Sequence, residues 1–267
     1  MKTCLGWACP SFDSFRTADL LDYLDRVARA GFCSVEPLMA NPFQLGPGRI
    51  RQILQDRGLT LSGIRTGAIH SVYGYSLSHP DSLIRRKAAS ALQEVIRASA
   101  EVGEPTILIG LLQGKLDETT SLEQGLAWVR DGLADCLKTA EDAGVKLALE
   151  PINRYELGYN RTVKDMLQLV TDLEDPSVGM LLDTFHMNIE EADISMAIQQ
   201  AGERIFHIHL ADNNRKIPGR GSFVFSTFFK QLRKVGYMGP MTIECDEIAD
   251  ESTLSASMAY LRQYLQF

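Results

Sequence analysis

One pattern repeats along this chain: a short apolar run is followed by an amphipathic stretch with helical spacing, in units of about 30 residues. No linker rich in Pro, Ser or Gly separates the units. Parallel strands joined by helices have this pattern, so the sequence predicts a (β/α)8 TIM barrel, an α/β fold, with residues 1–267 as a single domain. The eight predicted strands lie near residues 3–8, 33–37, 60–65, 105–110, 145–150, 178–183, 205–210 and 240–245.

The stretches between the runs have helix periodicity, as in the recurrence of Leu20, Leu24 and Val27. Several predicted helices run into a glycine before the next strand, because glycine readily adopts the positive φ of a helix stop. These glycines are Gly31, Gly103 and Gly144. A doubly wound open sheet is the alternative fold, but no GxGxxG motif follows the first run to support it.

The last four apolar runs each end with a side chain that binds hard metal ions. The C-terminal ends of barrel strands meet at one mouth, where this architecture carries its chemistry, so these side chains should converge there. Three carboxylates and one imidazole suit a divalent ion that prefers oxygen ligands. The sequence predicts one such ion, Mn²⁺ in first place with Mg²⁺ or Co²⁺ as alternatives. The predicted ligands are Glu150, Asp183, His209 and Glu244.

Each of these side chains also has an ordinary structural interpretation. A single buried carboxylate can pair with a neighbouring lysine, and Asp183 could simply cap a following helix. His207 and His209 point the same way on their strand, but only His209 is near the C-terminal end, so His207 is expected to be packed. His186 is expected to donate a hydrogen bond to substrate. Asp246 more simply caps the loop that follows Glu244.

The composition excludes several classes of function. A net charge of −7 argues against binding to a phosphate backbone and favours a small polar substrate. No apolar run approaches the roughly 18 residues of a membrane span, and no signal-peptide pattern opens the chain, so a cytoplasmic location is expected. The cysteines are odd in number and lack CxxC spacing, so all are expected to be reduced. They are Cys4, Cys9, Cys33, Cys136 and Cys245.

Around these residues the chain resembles the sugar isomerase/epimerase family built on the xylose isomerase-like barrel, most closely the D-tagatose/D-psicose (ketose) 3-epimerases. Three segments in the second half of the chain match the motifs of that family in type and order. They are residues 150–156 (EPINRYE), 182–191 (LDTFHMNIEE) and 207–215 (HIHLADNNR). Arg220 departs from the pattern, since similar enzymes often have an acidic residue there.

The resemblance implies metal ligation by the four residues above and substrate contacts from Glu156, His186 and Arg215. It also implies a metal-dependent epimerase that inverts carbon 3 of a ketose or ketose derivative through a cis-enediolate. Glu150 and Glu244 are the expected catalytic pair, one removing a proton and the other returning one to the opposite face. The expected partner is a small sugar, with no nucleic acid or membrane, and a homo-oligomer is possible because barrels of this family often pair.

Three other functions stay open at this point. Enediolate chemistry that ends in reprotonation at a different carbon would instead give an aldose-ketose or hydroxypyruvate-type isomerase. Apurinic endonucleases share the barrel but use additional histidines for three zinc ions, and the fourth run here ends Ile109-Gly110-Leu111 without one. A non-catalytic sugar-binding barrel would not need two glutamates at the ion.

Overall fold

Parallel strands form a barrel in the computed structural model, which describes residues 4–103 and 105–265. Within these residues the strands are β1 (Leu5–Cys9), β2 (Ser34–Pro37), β3 (Thr60–Leu61), β4 (Gly63–Arg65), β5 (Thr106–Ile109), β6 (Leu147–Leu149), β7 (Val178–Asp183), β8 (Ile205–Leu210) and β9 (Met241–Ile243). They are hydrogen-bonded in the order β3-β2-β1-β9-β8-β7-β6-β5-β4, and every pairing is parallel. This confirms the predicted TIM barrel.

The predicted third strand is divided into two segments, β3 and β4, on either side of Ser62. The first segment pairs with β2, whereas the second pairs with β5. An isolated bridge between Leu38 and Arg65 also links the chain after β2 to β4. The barrel therefore closes through residues 60–65, which switch from one neighbour to the other at Ser62.

Helices follow the strands and cover the outside of the barrel. They are α1 (Thr17–Arg29), α2 (Pro47–Gln55), α3 (Gly67–Tyr73), α4 (Ser82–Ala100), α5 (Leu122–Ala143), α6 (Val163–Asp172), α7 (Thr184–Glu190), α8 (Ile194–Ala201), α9 (Phe225–Lys234) and α10 (Glu251–Leu261). Short 3-10 turns occupy Phe12–Ser14, Leu111–Gln113, Leu116–Glu118 and Gly202–Arg204.

Helix periodicity correctly located the buried face of α1, where Leu20, Leu24 and Val27 are fully buried. The predicted positive φ after a helix is correct for two of the three glycines. Gly31 and Gly144 have the positive φ expected after a helix, at 94° and 68°. Gly103 does not have a positive φ, because α4 ends at Ala100 and its last turn continues through Glu101 in a right-handed conformation.

One large apolar cluster lies between the strands and the surrounding helices, and a small one of Leu108, Ala148 and Leu181 lies apart from it. No helix in the described part of the chain is both long enough and apolar enough to cross a bilayer. That residues 1–267 form one domain remains a prediction.

The expectation that every cysteine is reduced is wrong for one pair. Cys4 and Cys33 form a disulfide, whereas Cys9, Cys136 and Cys245 are free. The two paired cysteines lie next to the adjacent parallel strands β1 and β2, which brings their Cα atoms to 5.7 Å. They are 29 residues apart in sequence, so no short spacing motif indicated the pairing.

Candidate metal centre

The four side chains predicted as ligands come together at the C-terminal mouth of the barrel. One donor atom from each lies within 4.8 Å of those from the others. Glu150 follows β6, Asp183 ends β7, His209 lies near the end of β8, and Glu244 follows β9. Four neighbouring strands thus present their last side chains to one point. Binding of an ion by this set remains a prediction.

Local backbone structure explains how these side chains reach that point. Asp183 and His209 are directly paired in the register of β7 and β8, so their side chains lie side by side. Asp183 also accepts a hydrogen bond from the backbone N–H of Phe185, the cap anticipated as its ordinary role. Gly110 makes room for Glu150, because a Cβ at that position would lie only 2.5 Å from Glu150 Oε2.

Two buried atoms of the cluster that could bind a metal ion have no hydrogen-bond partner. They are Glu150 Oε1 and His209 Nδ1, which lie 3.7 Å apart. His209 Nδ1 also lies 3.0 Å from Glu244 Oε2 and 3.8 Å from Asp183 Oδ2. Buried polar atoms normally have partners, and an ion is one explanation for those that do not. Oxygen donors with one imidazole nitrogen fit a divalent ion such as Mn²⁺ or Mg²⁺.

Two arginines lie against the carboxylates. Arg215 donates to Asp183 Oδ2 at 2.6 Å and to Glu244 Oε2 at 2.5 Å, and its guanidinium stacks on Phe185. Arg65 donates to Glu244 Oε1 at 2.7 Å and to the Cys9 carbonyl at 2.6 Å. Arg215, expected to bind substrate, therefore contacts two of the candidate ligands. These arginines compensate part of the negative charge at the mouth.

Glu36, on β2, is a fully buried carboxylate that contacts both histidines of β8. It accepts a hydrogen bond from His209 Nε2 at 2.7 Å, and its other oxygen lies 2.7 Å from His207 Nε2. Burial lowers the pKa of His209, but the carboxylates of Glu36 and Glu244 raise it well above its ordinary value, so the imidazole is charged without metal. A metal ion would take the place of the proton on Nδ1, which faces the cluster, while Nε2 keeps its hydrogen bond to Glu36. His207 is fully buried and also within hydrogen-bond distance of Thr242, which agrees with its predicted packed role.

The environments of Glu150 and Glu244 shift their pKa values in opposite directions. Burial raises the pKa of Glu150 above its ordinary value. Burial acts in the same sense on Glu244, but the charges of His209, Arg215 and Arg65 hold the pKa of that carboxyl well below its usual range.

His186 and Glu156, the other predicted substrate contacts, flank the same mouth. Asn153 Nδ2 lies 2.8 Å from His186 Nδ1 and donates to Glu156 Oε1, also at 2.8 Å. An amide donor at Nδ1 leaves the proton of His186 on Nε2, which is 3.7 Å from Glu150 Oε1. His186 is buried and Glu156 half-exposed. The arrangement is consistent with a hydrogen-bond donor aimed into the mouth.

A pocket of about 100 Å³ opens over the cluster. Five predicted site residues line it: Glu150, Glu156, His186, Arg215 and Glu244. Leu38 and Leu111 form apolar walls. Asp183 and His209 are almost fully buried beneath it. The predicted substrate contacts therefore surround a space that adjoins the predicted ligands.

The sequence prediction missed Glu36, Arg65 and Asn153 as residues that hold the site together. A signal for Glu36 was present, because Ser34-Val35-Glu36-Pro37 repeats the pattern of an acid that closes a strand before proline, as at Glu150-Pro151. Arg65 likewise closes β4 with a charged side chain. Asn153 lies inside a matched motif but had no assigned role.

Comparison with known proteins was consistent with this geometry. The family model described as "Xylose isomerase-like TIM barrel" matches residues 24–264. A ketose 3-epimerase of Arthrobacter globiformis is 28% identical over 224 residues, which cover 83% of this chain and 75% of that protein. The 3-dehydro-D-guloside 4-epimerase of Escherichia coli is 31% identical over 188 residues, 67% of this chain and 71% of that protein.

A similar solved structure is D-psicose 3-epimerase with D-tagatose from Clostridium cellulolyticum H10. It superposes with a TM-score of 0.84 at 25% identity, and the match covers 99% of this chain and all of that one. The sequence and structure relatives named here are thus carbohydrate epimerases, and their matches cover between 67% and 99% of this chain.

Proposed function

Because this chain belongs to the xylose isomerase-like TIM barrel family and is an enzyme of the carbohydrate epimerase and isomerase class, we propose that it inverts carbon 3 of a ketose or ketose derivative. The observation that carries this proposal is geometric: Glu150 and Glu244, which follow β6 and β9, place carboxylate oxygens within 4.8 Å of each other in one cluster at the mouth. Inversion needs a proton to leave one face of the carbon and another to arrive at the opposite face.

Glu150, Asp183, His209 and Glu244 would hold one divalent ion, which we propose is Mn²⁺, with Mg²⁺ or Co²⁺ as alternatives. When bound, such an ion polarises a carbonyl and so acidifies the adjacent carbon. The unpartnered atoms Glu150 Oε1 and His209 Nδ1 support this assignment.

The remaining steps belong to the side chains. One glutamate takes the proton from carbon 3, which leaves a cis-enediolate of the sugar, and the other glutamate returns a proton from the opposite side. His186 Nε2 and the Arg215 guanidinium donate hydrogen bonds to the developing oxyanion, an interaction often worth roughly 3 kcal/mol. Glu156, held by Asn153, orients a substrate hydroxyl.

An isomerase outcome on the same scaffold is the alternative, because loss of a proton from carbon 1 in place of carbon 3, followed by reprotonation at carbon 2, would convert a ketose to an aldose. The named relatives themselves differ in the carbon they epimerise, since one is a 3-epimerase and another a 4-epimerase. Proton NMR in deuterated water, on a panel of free ketoses, separates these outcomes. Deuterium at carbon 3 of an epimerised ketose supports the proposal, whereas formation of an aldehyde supports isomerisation.

Conservative variants test the two glutamates directly. Glu150→Gln and Glu244→Gln should each lower turnover by roughly 10²–10⁴-fold, since an amide cannot exchange the proton. Glu94→Gln is the matched control, because Glu94 is exposed on α4, on the outside of the barrel. Elemental analysis and a thermal melt on each variant separate lost chemistry from lost metal or lost fold. Normal turnover by either folded variant would contradict the assignment.

A further inference from the structure

A second and larger cavity adjoins the mouth on the side of β1 and β9. Its volume is about 900 Å³, compared with about 100 Å³ for the pocket over the cluster. Leu38, Arg65 and Glu244 line both spaces, so the two meet at the edge of the candidate metal centre. Cavities of roughly 300–1,000 Å³ bind ligands considerably larger than one sugar ring.

The walls of this large cavity are mainly aromatic and aliphatic. Phe15 is a partly exposed ring on one side, packed against the buried ring of Tyr23, with the buried Trp7 also in the lining. Ile248 and Ala249 contribute apolar groups on the loop after β9. Aromatic walls with a few polar groups are typical of pockets that hold the apolar faces of a ring while its polar atoms are hydrogen-bonded. The cavity therefore suits a ring with hydroxyl groups.

The charges around the cavity disfavour an anion. Two guanidinium groups line it, and both have acidic partners: Arg65 is held by Glu244, and Arg26 by Asp22. Five carboxylates line the same space: Glu244, Asp246, Glu247, Asp250 and Glu251. Glu244, Glu247 and Glu251 are each paired with an arginine, whereas Asp246 and Asp250 have no ion pair among the described residues. A phosphate placed there would meet these two uncompensated carboxylates.

We propose that this cavity binds an uncharged glycosyl substituent, so that the substrate is a glycosylated ketose rather than a free or phosphorylated one. The inference rests on the proposed function, because it places the reacting carbons of the ketose between Glu150 and Glu244. The substituent then extends past Arg65 and Leu38 into the larger space. The pocket over the cluster is too small to enclose more than the reacting end of such a molecule.

Three substrates that differ only at O6 test the proposal: D-fructose, fructose 6-phosphate and isomaltulose, which carries a glucosyl group there. Maltulose adds the 4-linked case. The rate of deuterium exchange at carbon 3 is followed by proton NMR with the metal-loaded enzyme. We expect kcat/KM for at least one glucosylated ketose to exceed that for fructose by 10-fold or more, with the phosphate poorer than fructose.

Other results overturn the inference in distinguishable ways. If fructose or its phosphate equals or exceeds both glucosylated ketoses, the cavity is not a glycosyl site, while the proposed epimerase function stands. If none of the four sugars exchanges at carbon 3 and the wider ketose panel also fails, the proposed function itself is refuted.

A variant that fills the cavity tests whether the preference for the glucosylated ketose arises there. Ala249→Trp should lower the ratio of kcat/KM for isomaltulose to that for fructose by at least 10-fold. Ala256→Trp is the matched control, since Ala256 is also half-buried against the core but lies outside the cavity lining, and it should leave the ratio unchanged. An unchanged ratio in the folded Ala249 variant would contradict the proposal.

Saturation-transfer NMR on the unmodified enzyme with isomaltulose provides a test that needs no variant. Transfer from protein to the glucosyl protons at least as strong as that to the fructosyl protons is expected, because both rings would be enclosed. Transfer confined to the fructosyl protons would place the glucosyl ring in solvent and overturn the inference.

Discussion

The two halves of the barrel contribute differently to the mouth. Strands β6 to β9 end in the four candidate ligands, whereas β2 and β4 contribute Glu36 and Arg65, which contact those ligands from behind. Glu36 holds His209, and Arg65 holds Glu244 while its Nε lies 3.4 Å from Glu36. The second half thus presents the groups that would meet ion and sugar, and the first half fixes their positions. A barrel allows this because its first strands are neighbours of its last.

Among variants that change contacts around the ligands and leave the ligands themselves intact, Glu36→Gln should have the largest effect. It tests whether the first half of the barrel controls metal affinity. The carboxylate accepts from His209 and contacts His207, but an amide has one acceptor and one donor face. The Nε2 atom of one of the two histidines must then accept from the amide N–H group. If that histidine is His209, its Nδ1 keeps a proton and cannot bind the metal ion. We expect metal affinity to fall by roughly 10–100-fold, measured by calorimetric titration with Mn²⁺.

Glu118→Gln is a suitable control for that experiment, because Glu118 also lies near a histidine, 3.6 Å from His70, but is half-exposed and has no hydrogen bond or ion pair with a candidate ligand. It should bind Mn²⁺ as the unmodified protein does. Thermal melts in EDTA establish that both variants fold without metal. Unchanged Mn²⁺ affinity in a folded Glu36 variant would show that the second half needs no support from β2.

This division also describes what the sequence could and could not reveal. The convergence of the four candidate ligands was predictable because each ends an apolar run, a signal confined to a few adjacent residues. The contact between Glu36 and His209 joins residues 173 apart, and that between Arg65 and Glu244 joins residues 179 apart. Such pairs depend on barrel closure and side-chain length, which leave no local pattern. The same reason explains the missed Cys4–Cys33 disulfide and the division of the third strand at Ser62.

A smaller effect is expected from Arg65→Lys, which keeps the charge but removes the fork of donors. Arg65 reaches Glu244 with Nη1 and the Cys9 carbonyl with Nη2, and a single ammonium cannot reproduce both contacts. A hydrogen bond to a charged group is worth about 1.5–3 kcal/mol, and about 1.4 kcal/mol corresponds to tenfold in rate. We therefore expect kcat/KM to fall by about 10-fold.

Arg51→Lys gives the comparison for that variant, since Arg51 makes one exposed contact with the Glu101 carbonyl on the outside of the barrel. Its kcat/KM should match that of the unmodified enzyme. An equal loss in both variants would mean that the Arg65 effect is not specific to its contact with Glu244.

The smallest effect concerns a contact made entirely within the second half, between Arg154 and Glu190. The Glu190 carboxylate accepts from the backbone N–H of Arg154 at 2.7 Å and from its guanidinium at 2.9 Å, which ties the loop after β6 to α7. Burial tends to raise the pKa of Glu190, but Arg154 holds it below its ordinary value of 4.5. The ionised pair therefore stabilises the fold above that value, and this stabilisation is lost as the pH falls through the lower, folded-state pKa.

Because Arg154 is half-exposed, the pair should contribute only roughly 1 kcal/mol. Glu190→Gln should lower the free energy of unfolding by about that amount at pH 7, as measured by urea denaturation, and by clearly less near pH 3. Its Mn²⁺ affinity should equal that of the unmodified protein, in contrast to the Glu36 variant. Glu203→Gln, at an exposed position in the 3-10 turn after α8, should change neither quantity. A stability loss that is the same at both pH values would show that Glu190 acts through packing and not through its charge.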